Sequence, residues 1–364
     1  MISRMPQVLT WSGYREEMAR VQEIYADLVT QSLSRIIRNM EETQPESARL
    51  LTTELHSASG SALSRVLLAP ETTSRIRRFR PEGPPEAASF LTESLQAEAA
   101  LGGRTVKPGK EIWTALGDAK VLPSGKVVRG PSIPGFMPLD LDSPYGMTID
   151  VAGSSSRVPP RKPLAGTERK MVLERMNKVS RGIAATSDVV KYFVVEFTKV
   201  LVLQKDETQG FSSGSEGRYV GRSTIGNPQL PGVDELELAE AVVHEAIHSL
   251  LYMQEHYQPW ALSESLYSLE QKVVSPWTGT ALPVRPFLQA CFVWYGVLNF
   301  WSRAALAGTF SQRMVLARIN KAASGFLKGP LLSLLEKEDR DATSQEVKDA
   351  IVAMQKIVRD SATG

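Results

Sequence analysis

The sequence predicts an α+β protein that is mainly α-helical, and three observations carry that expectation. Long stretches repeat apolar residues at spacings of three and four, the pattern of helices with one face in a core. Short β-branched runs bounded by turn-forming residues are few and fall in the middle of the chain, which limits the sheet to a small one. An apolar, helix-forming run carries two of only four histidines, His244 and His248, on a single helical face.

At 364 residues with 42% hydrophobic content, the chain can build one large domain or two ordinary ones. Its 42 basic and 40 acidic residues are well mixed and leave a formal charge of +2, which asks for neither nucleic acid nor a membrane surface as partner. The single cysteine, Cys291, excludes an internal disulfide and lies in an apolar run, where it reads as a core residue. With no export signal visible from Met1 to Trp11, a cytoplasmic location is expected. The most hydrophobic stretch, Phe287 to Trp301, is shorter than the roughly 20 apolar residues of a bilayer crossing and is expected to be a buried helix.

Taken in order, Met18, Val21, Ile24, Tyr25, Leu28, Leu33, Ile36 and Ile37 predict a long amphipathic helix from Tyr14 to about Met40. A second helix is expected over Ser47 to Leu68, with Gly60 as its weak point and Pro70 as its stop. The basic cluster Arg75, Arg77, Arg78 and Arg80 offers a dock for an acidic peptide segment or a solvated face. A short helix is expected from Glu86 to Ala100. From Leu101 to about Gly166 the sequence turns rich in Gly, Pro and Ser, with strand candidates at Ala119 to Leu122 and Gly125 to Arg129. A domain boundary is expected near residue 165, giving an N-terminal helical region with a Pro/Gly-rich segment over 1–165 and a metal-binding catalytic domain with C-terminal helices over 166–364.

Helical spacing resumes from Glu168 to about Ala184, and Val189 to Phe197 reads equally as helix or strand. Lys199 to Leu203 is a better strand, because Val200 and Val202 are β-branched. Gly210 to Gly217 reads as a loop and Arg218 to Ile225 as an edge strand placed to pair with a bound peptide. Asp234 with Glu237 makes a capping-box-like start for a largely buried helix carrying the histidines.

That helix contains His244-Glu245-Ala246-Ile247-His248. Residues at i and i+4 project side by side, so both imidazoles can grip one metal ion with Glu245 beside it. The alternative is a pair of polar residues at the edge of a buried helix. The expected fold class is therefore a zincin-like metal-binding helix with a small sheet, plus the N-terminal helical region.

A metal on this motif needs a further protein ligand, and Glu264, Glu270 and Gln289 are the candidates. The two glutamates sit in an ordinary amphipathic pattern where solvated charge is the default. Glu255 would share the histidine face if the helix continued, but roughly 10 Å away along it. Downstream, Arg285, Gln289, Phe292, Gly296, Asn299 and Arg303 fall on one stripe of an otherwise apolar helix. Such a stripe reads either as a cavity wall, with Gln289 as a neutral oxygen ligand, or as structural hydrogen bonds to neighbouring backbone.

The H-E-x-x-H helix, Pro276-Trp277, and the Leu288-Gln289-Ala290 helix through Tyr295 to Phe300-Trp301 resemble the HExxH-motif peptide-modification family. The resemblance covers roughly residues 185–305. It implies an Fe(II)- and 2-oxoglutarate-dependent oxygenase that β-hydroxylates a residue of a ribosomally made peptide. The implied metal ligands are His244, His248 and Gln289, Arg285, Arg218, Arg222 and Arg303 are candidates for the co-substrate carboxylate, and Glu245 stands close to the metal. Two other readings remain: a zinc metallopeptidase with Glu245 as general base, and a non-catalytic peptide-binding protein. The N-terminal helices are expected to recognise a leader segment of the peptide or to form a homo-oligomer interface.

Overall fold

The computed structural model describes residues 2–77, 86–147, 161–206, 210–270 and 272–363. The fold is α+β and mainly helical, with 61% helix and 10% strand. The first half of the chain gives helices α1 (Met5–Val8), α2 (Arg15–Thr43), α3 (Pro45–Ser57), α4 (Gly60–Leu67), α5 (Pro70–Arg77), α6 (Glu86–Leu101) and α7 (Pro144–Met147), with strands β1 (Ile112–Trp113), β2 (Ala119–Val121), β3 (Val127–Arg129), β4 (Leu139–Asp140) and β5 (Lys162–Pro163). The second half gives α8 (Gly166–Thr186), α9 (Asp188–Phe197), β6 (Val200–Lys205), β7 (Ser212–Ser215), β8 (Arg222–Gly226), α10 (Glu235–Glu255), β9 (Val273–Val274), β10 (Ala281–Leu282), α11 (Val284–Ala307), α12 (Gln312–Leu327), α13 (Lys337–Asp341) and α14 (Gln345–Thr363).

The expected helix over Ser47 to Leu68 is two helices, and the break falls just before Gly60. Ser59 caps the second by accepting a hydrogen bond from the Ala62 N–H at 3.2 Å, which favours a fresh helix start over continuation. The ambiguous run at Val189 is helical, and its Val190, Phe193, Val194 and Phe197 are fully buried at helical spacing. The stretch read as a loop from Gly210 contains β7.

The chain forms two compact units. One combines 1–23, 178–194 and 239–364, and the other combines 24–177 and 195–238. The boundary expected near residue 165 is therefore not a limit of either unit, for two reasons of pairing. The first residues belong with the C-terminal helices: Ile2, Met5, Val8, Leu9 and Trp11 are buried, and the Trp11 indole N–H donates to the Gly296 carbonyl at 2.9 Å. In the other unit β4, before the expected boundary, runs parallel to β6, after it, with Leu139 opposite Leu201.

That second unit holds a sheet of order β4-β6-β8-β7, with β5 paired to β6. Its central strand β6 is buried from Val200 to Gln204, the continuous apolar run of a strand covered on both faces. The strand expected at Arg218 to Ile225 corrects to Arg222–Gly226 and lies between β6 and β7, so β7 takes the edge position instead. Asn227, at φ 58°, follows β8 in the left-handed conformation that Asn tolerates. Its side chain bridges the Asp206 N–H at 2.9 Å and the Asp206 and Gly210 carbonyls at 2.7 and 3.0 Å. A smaller antiparallel sheet, β1-β2-β3, packs Ile112 and Val121 against Ala97 and Ala100 of α6.

In the first unit α10 and α11 run antiparallel, as their paired side chains show. Glu255 meets Arg285, His248 meets Gln289, and Glu240 accepts from the Trp301 indole at 2.7 Å. Near the middle Gly296 faces Ile247, and a Cβ there would stand 2.6 Å from the Ile247 Cδ1. The small residue lets the two helices approach closely. No helix among the described residues is long and apolar enough to cross a membrane.

Candidate metal centre

Asp234 starts α10 by accepting the Glu237 N–H at 2.8 Å, the capping bond its sequence predicts. From there Leu238, Val242, Ala246, Leu250 and Leu251 bury one side of the helix completely or nearly so. The same helical spacing turns His244 and His248 to a half-buried face, with ring centroids 5.0 Å apart. Trp294 of α11 meets the His244 ring edge-on at 6.2 Å, and Tyr252, one turn beyond His248, stacks on the His248 ring at 5.9 Å. Glu245 is turned inward and only 2% exposed.

Gln289, 2% exposed, places its Oε1 at 3.0 Å from the His248 Nδ1. With the amide oxygen in this orientation as acceptor, Nδ1 carries the proton and the lone pair of this imidazole sits on Nε2. Although an edge of the ring stays accessible, burial pushes the His248 pKa down to about 4, and His244 adds to the effect against the opposing influences of Glu245 and Gln289. His248 is thus a neutral nitrogen donor at physiological pH, the form a metal requires. The other half of the Gln289 amide, Nε2, is buried without a hydrogen-bond partner.

Arg285, one turn before Gln289, is engaged by Glu255. Its Nε and Nη2 donate to the Glu255 carboxylate at 2.9 and 2.7 Å, and its guanidinium lies over the Tyr252 and Tyr267 rings at 5.5 and 5.6 Å. Continuation of α10 to Glu255 therefore supplies a partner for Arg285 rather than a ligand. The polar stripe of α11 divides along its length. Its first turns face the histidines, whereas the Asn299 amide donates to the Tyr295 carbonyl at 2.9 Å and Arg303 ties down the N-terminal segment through Thr10 O and Ser12 Oγ, each at 2.9 Å. Arg303 stands about four turns of α11 from Gln289, roughly 20 Å along the axis, so the structure does not bring it to the pair. Backbone anchoring accounts for that end of the stripe.

Arg218 and Arg222 belong to the other unit. Arg218 pairs with Glu216 at 2.6 Å, while Arg222 lies over the Tyr219 ring at 3.6 Å and donates to the Tyr145 carbonyl at 3.2 Å. Glu270 is exposed, with Lys272 at 3.8 Å, and Glu264 lies in a 3-10 turn rather than the amphipathic helix expected. Trp277 packs inside the first unit, donating to the Ala322 carbonyl at 2.9 Å and stacking on Trp294 at 6.1 Å. Arg75 pairs with Glu71 at 2.8 Å, and Arg78 and Arg80 of the same cluster lie outside the described residues.

The donor chemistry fits a divalent metal through two imidazoles on one rigid helix. Among the described residues no group of three His, Cys, Asp or Glu side chains completes such a site, and the Gln289 amide, held at Nδ1, stands on the side of the His248 ring away from Nε2 and orients the imidazole instead of ligating through it. The sequence pattern did not single out Tyr252, Trp294 or the Glu255–Arg285 pair as part of this surrounding. Tyr252 carried a local signal in its position four residues after His248, and Glu255 and Arg285 each carried one in its helical face, but nothing local joined those two to each other. No family model and no curated protein matches the chain.

Proposed function

We propose that His244 and His248 hold Fe(II) and that the chain uses it with 2-oxoglutarate and O2 to hydroxylate a β-carbon of a ribosomally made peptide. The observation that carries the reading is the divided amide of Gln289. With its oxygen accepting from His248 Nδ1, its buried N–H2 group lacks an acceptor, which an oxygen of a bound co-substrate would supply. Bound there, iron would provide the oxidising chemistry that inserts an oxygen atom into a C–H bond. Imidazole ligands bring no negative charge to the ion, which favours a dianionic co-ligand over a lone water. Arg285, held against Tyr252 beside His248, adds positive potential that Glu255 balances.

The motif also serves zinc peptidases, in which the glutamate after the first histidine activates water and a third, anionic protein ligand completes the zinc. Glu245 is nearly fully buried, and the described residues supply no such ligand, so the site supports that reading less well. The deciding experiment is anaerobic reconstitution with Fe(II) followed by 2-oxoglutarate, read as the weak visible charge-transfer band of the chelate. A band in the wild-type chain that disappears in His248→Ala is the expected result. Peptide hydrolysis with zinc and no band with iron would sink the oxygenase reading.

A further inference from the structure

The second unit contains a cavity of about 210 Å³ built on one face of its sheet and lined by Gly146, Gln204, Arg161, Arg222, Thr224 and the β7 strand Ser212–Ser215. The strand register explains why a hollow lies there. Gly214 stands opposite Thr224, and Ser212 opposite Gly226, so each of these cross-strand pairs sets one glycine against one small hydroxyl side chain. A Cβ on Gly214 would meet nothing within 4 Å.

Two guanidinium groups supply its polarity. Arg222 rests on Tyr219, which fixes it without neutralising it, and no carboxylate pairs with it among the described residues. Arg161 has its nearest carboxylate, Asp206, at 3.9 Å. The Gln204 amide, 1% exposed and turned so that its nitrogen donates to the Gly146 carbonyl at 3.1 Å, accepts from Arg161. Among the described residues of the lining the acidic one is Glu216, which is engaged by Arg218 at 2.6 Å. Burial lowers the Arg161 pKa, Asp206 opposes this, and Arg222 lowers it further. Among the described residues two cations thus share a partly enclosed space with less negative charge than would balance them, a cost that a bound anion removes.

We infer that this cavity is a binding site for a small-molecule oxyanion, a phosphate or carboxylate group gripped by Arg161 and Arg222 and floored by the serine hydroxyls and backbone of β7. Forked guanidinium donors match both oxyanions in geometry, and the small residues beneath admit the remainder of the ligand. The inference does not depend on the histidine pair.

The test is calorimetric titration of the whole chain, treated with chelator, against inorganic phosphate and separately against succinate. At least one probe should bind with a dissociation constant below ~10 mM, and the probe that binds identifies the oxyanion. Arg222→Met keeps the stem over Tyr219 and should weaken binding about tenfold or more. Gly214→Val should fill the floor and abolish binding while leaving the thermal midpoint in place, and Arg222→Met carries the test alone if that variant does not fold. Absence of binding by both probes overturns the inference, as does equal affinity in wild-type and Arg222→Met chains. Binding seen in a parallel titration of the untreated chain but absent after chelator treatment would move the anion to a metal and overturn the inference too, leaving the proposed oxygenase intact.

Discussion

Gln289 Oε1 accepts from His248 Nδ1 across the antiparallel α10–α11 pair at 3.0 Å. The contact joins the helix whose histidines are recognisable from sequence to a polar residue that α11 turns toward them, one turn beyond Arg285. It fixes which imidazole nitrogen is left for a metal, and it makes Gln289 an orienting group in the structure as it stands.

Gln289→Leu removes that acceptor with little change in volume. Metal affinity should fall about tenfold to a hundredfold, the usual loss when a histidine ligand's outer partner is removed. His248→Ala should abolish binding, and metal titration with a competing chelator reads both. An unchanged affinity in Gln289→Leu would mean that the amide neither orients nor ligates.

The Glu255–Arg285 pair is a stability feature beside the site. Glu255 is nearly buried, with 6% of its side chain exposed against 30% for Arg285. Arg285→Met should therefore cost about 2 kcal/mol by stranding the carboxylate, measured by urea unfolding. The Glu255→Met, Arg285→Met double variant should recover most of that loss. Additive losses would show the two groups to be energetically independent.

Gly296 sets how closely α11 approaches α10. Adding a methyl there drives a Cβ to 2.6 Å from the Ile247 Cδ1, so Gly296→Ala should destabilise by about 1–3 kcal/mol. Ile247→Val deletes that methyl and should relieve much of the cost, giving a favourable coupling in a double-mutant cycle. Because Ile247 precedes His248, metal affinity measured in the same four proteins reports whether the helix spacing also tunes the site.

Asp140 makes stability pH-dependent in the second unit. It is 2% exposed, accepts from the Ser143 N–H at 2.9 Å and from the Ser143 hydroxyl, and burial raises its pKa to about 6. The native state therefore holds this proton more tightly than the unfolded chain, whose value is near 4. Its contribution is present below about pH 4 and is lost as pH rises through about 6, a total near 3 kcal/mol. Asp140→Asn should flatten this part of the wild-type profile, as seen in unfolding free energies across that range. An identical pH profile in the variant would place the titration elsewhere.

The sequence by itself determined what lies within one helix. The i, i+4 histidines, the Asp234 cap and the buried apolar face of α10 depend on local periodicity, and so does the burial of Cys291 on α11. The same holds for α2, α6, α8, α10 and α11 and for β2, β3 and β6, with ends shifted by a few residues. Tertiary structure decided everything that needed a partner. One stripe of α11 carries Arg285, Gln289, Asn299 and Arg303 in identical helical register, yet Glu255, His248, the helix's own backbone and the N-terminal segment claim them in turn. Periodicity specifies a face but not which neighbour covers it, since the neighbours lie up to 293 residues away in sequence. For the same reason β7 was hidden in a Ser/Gly-rich stretch: its identity as a strand rests on pairing with β8, and the cavity it floors exists because that pairing sets glycine against small hydroxyl side chains.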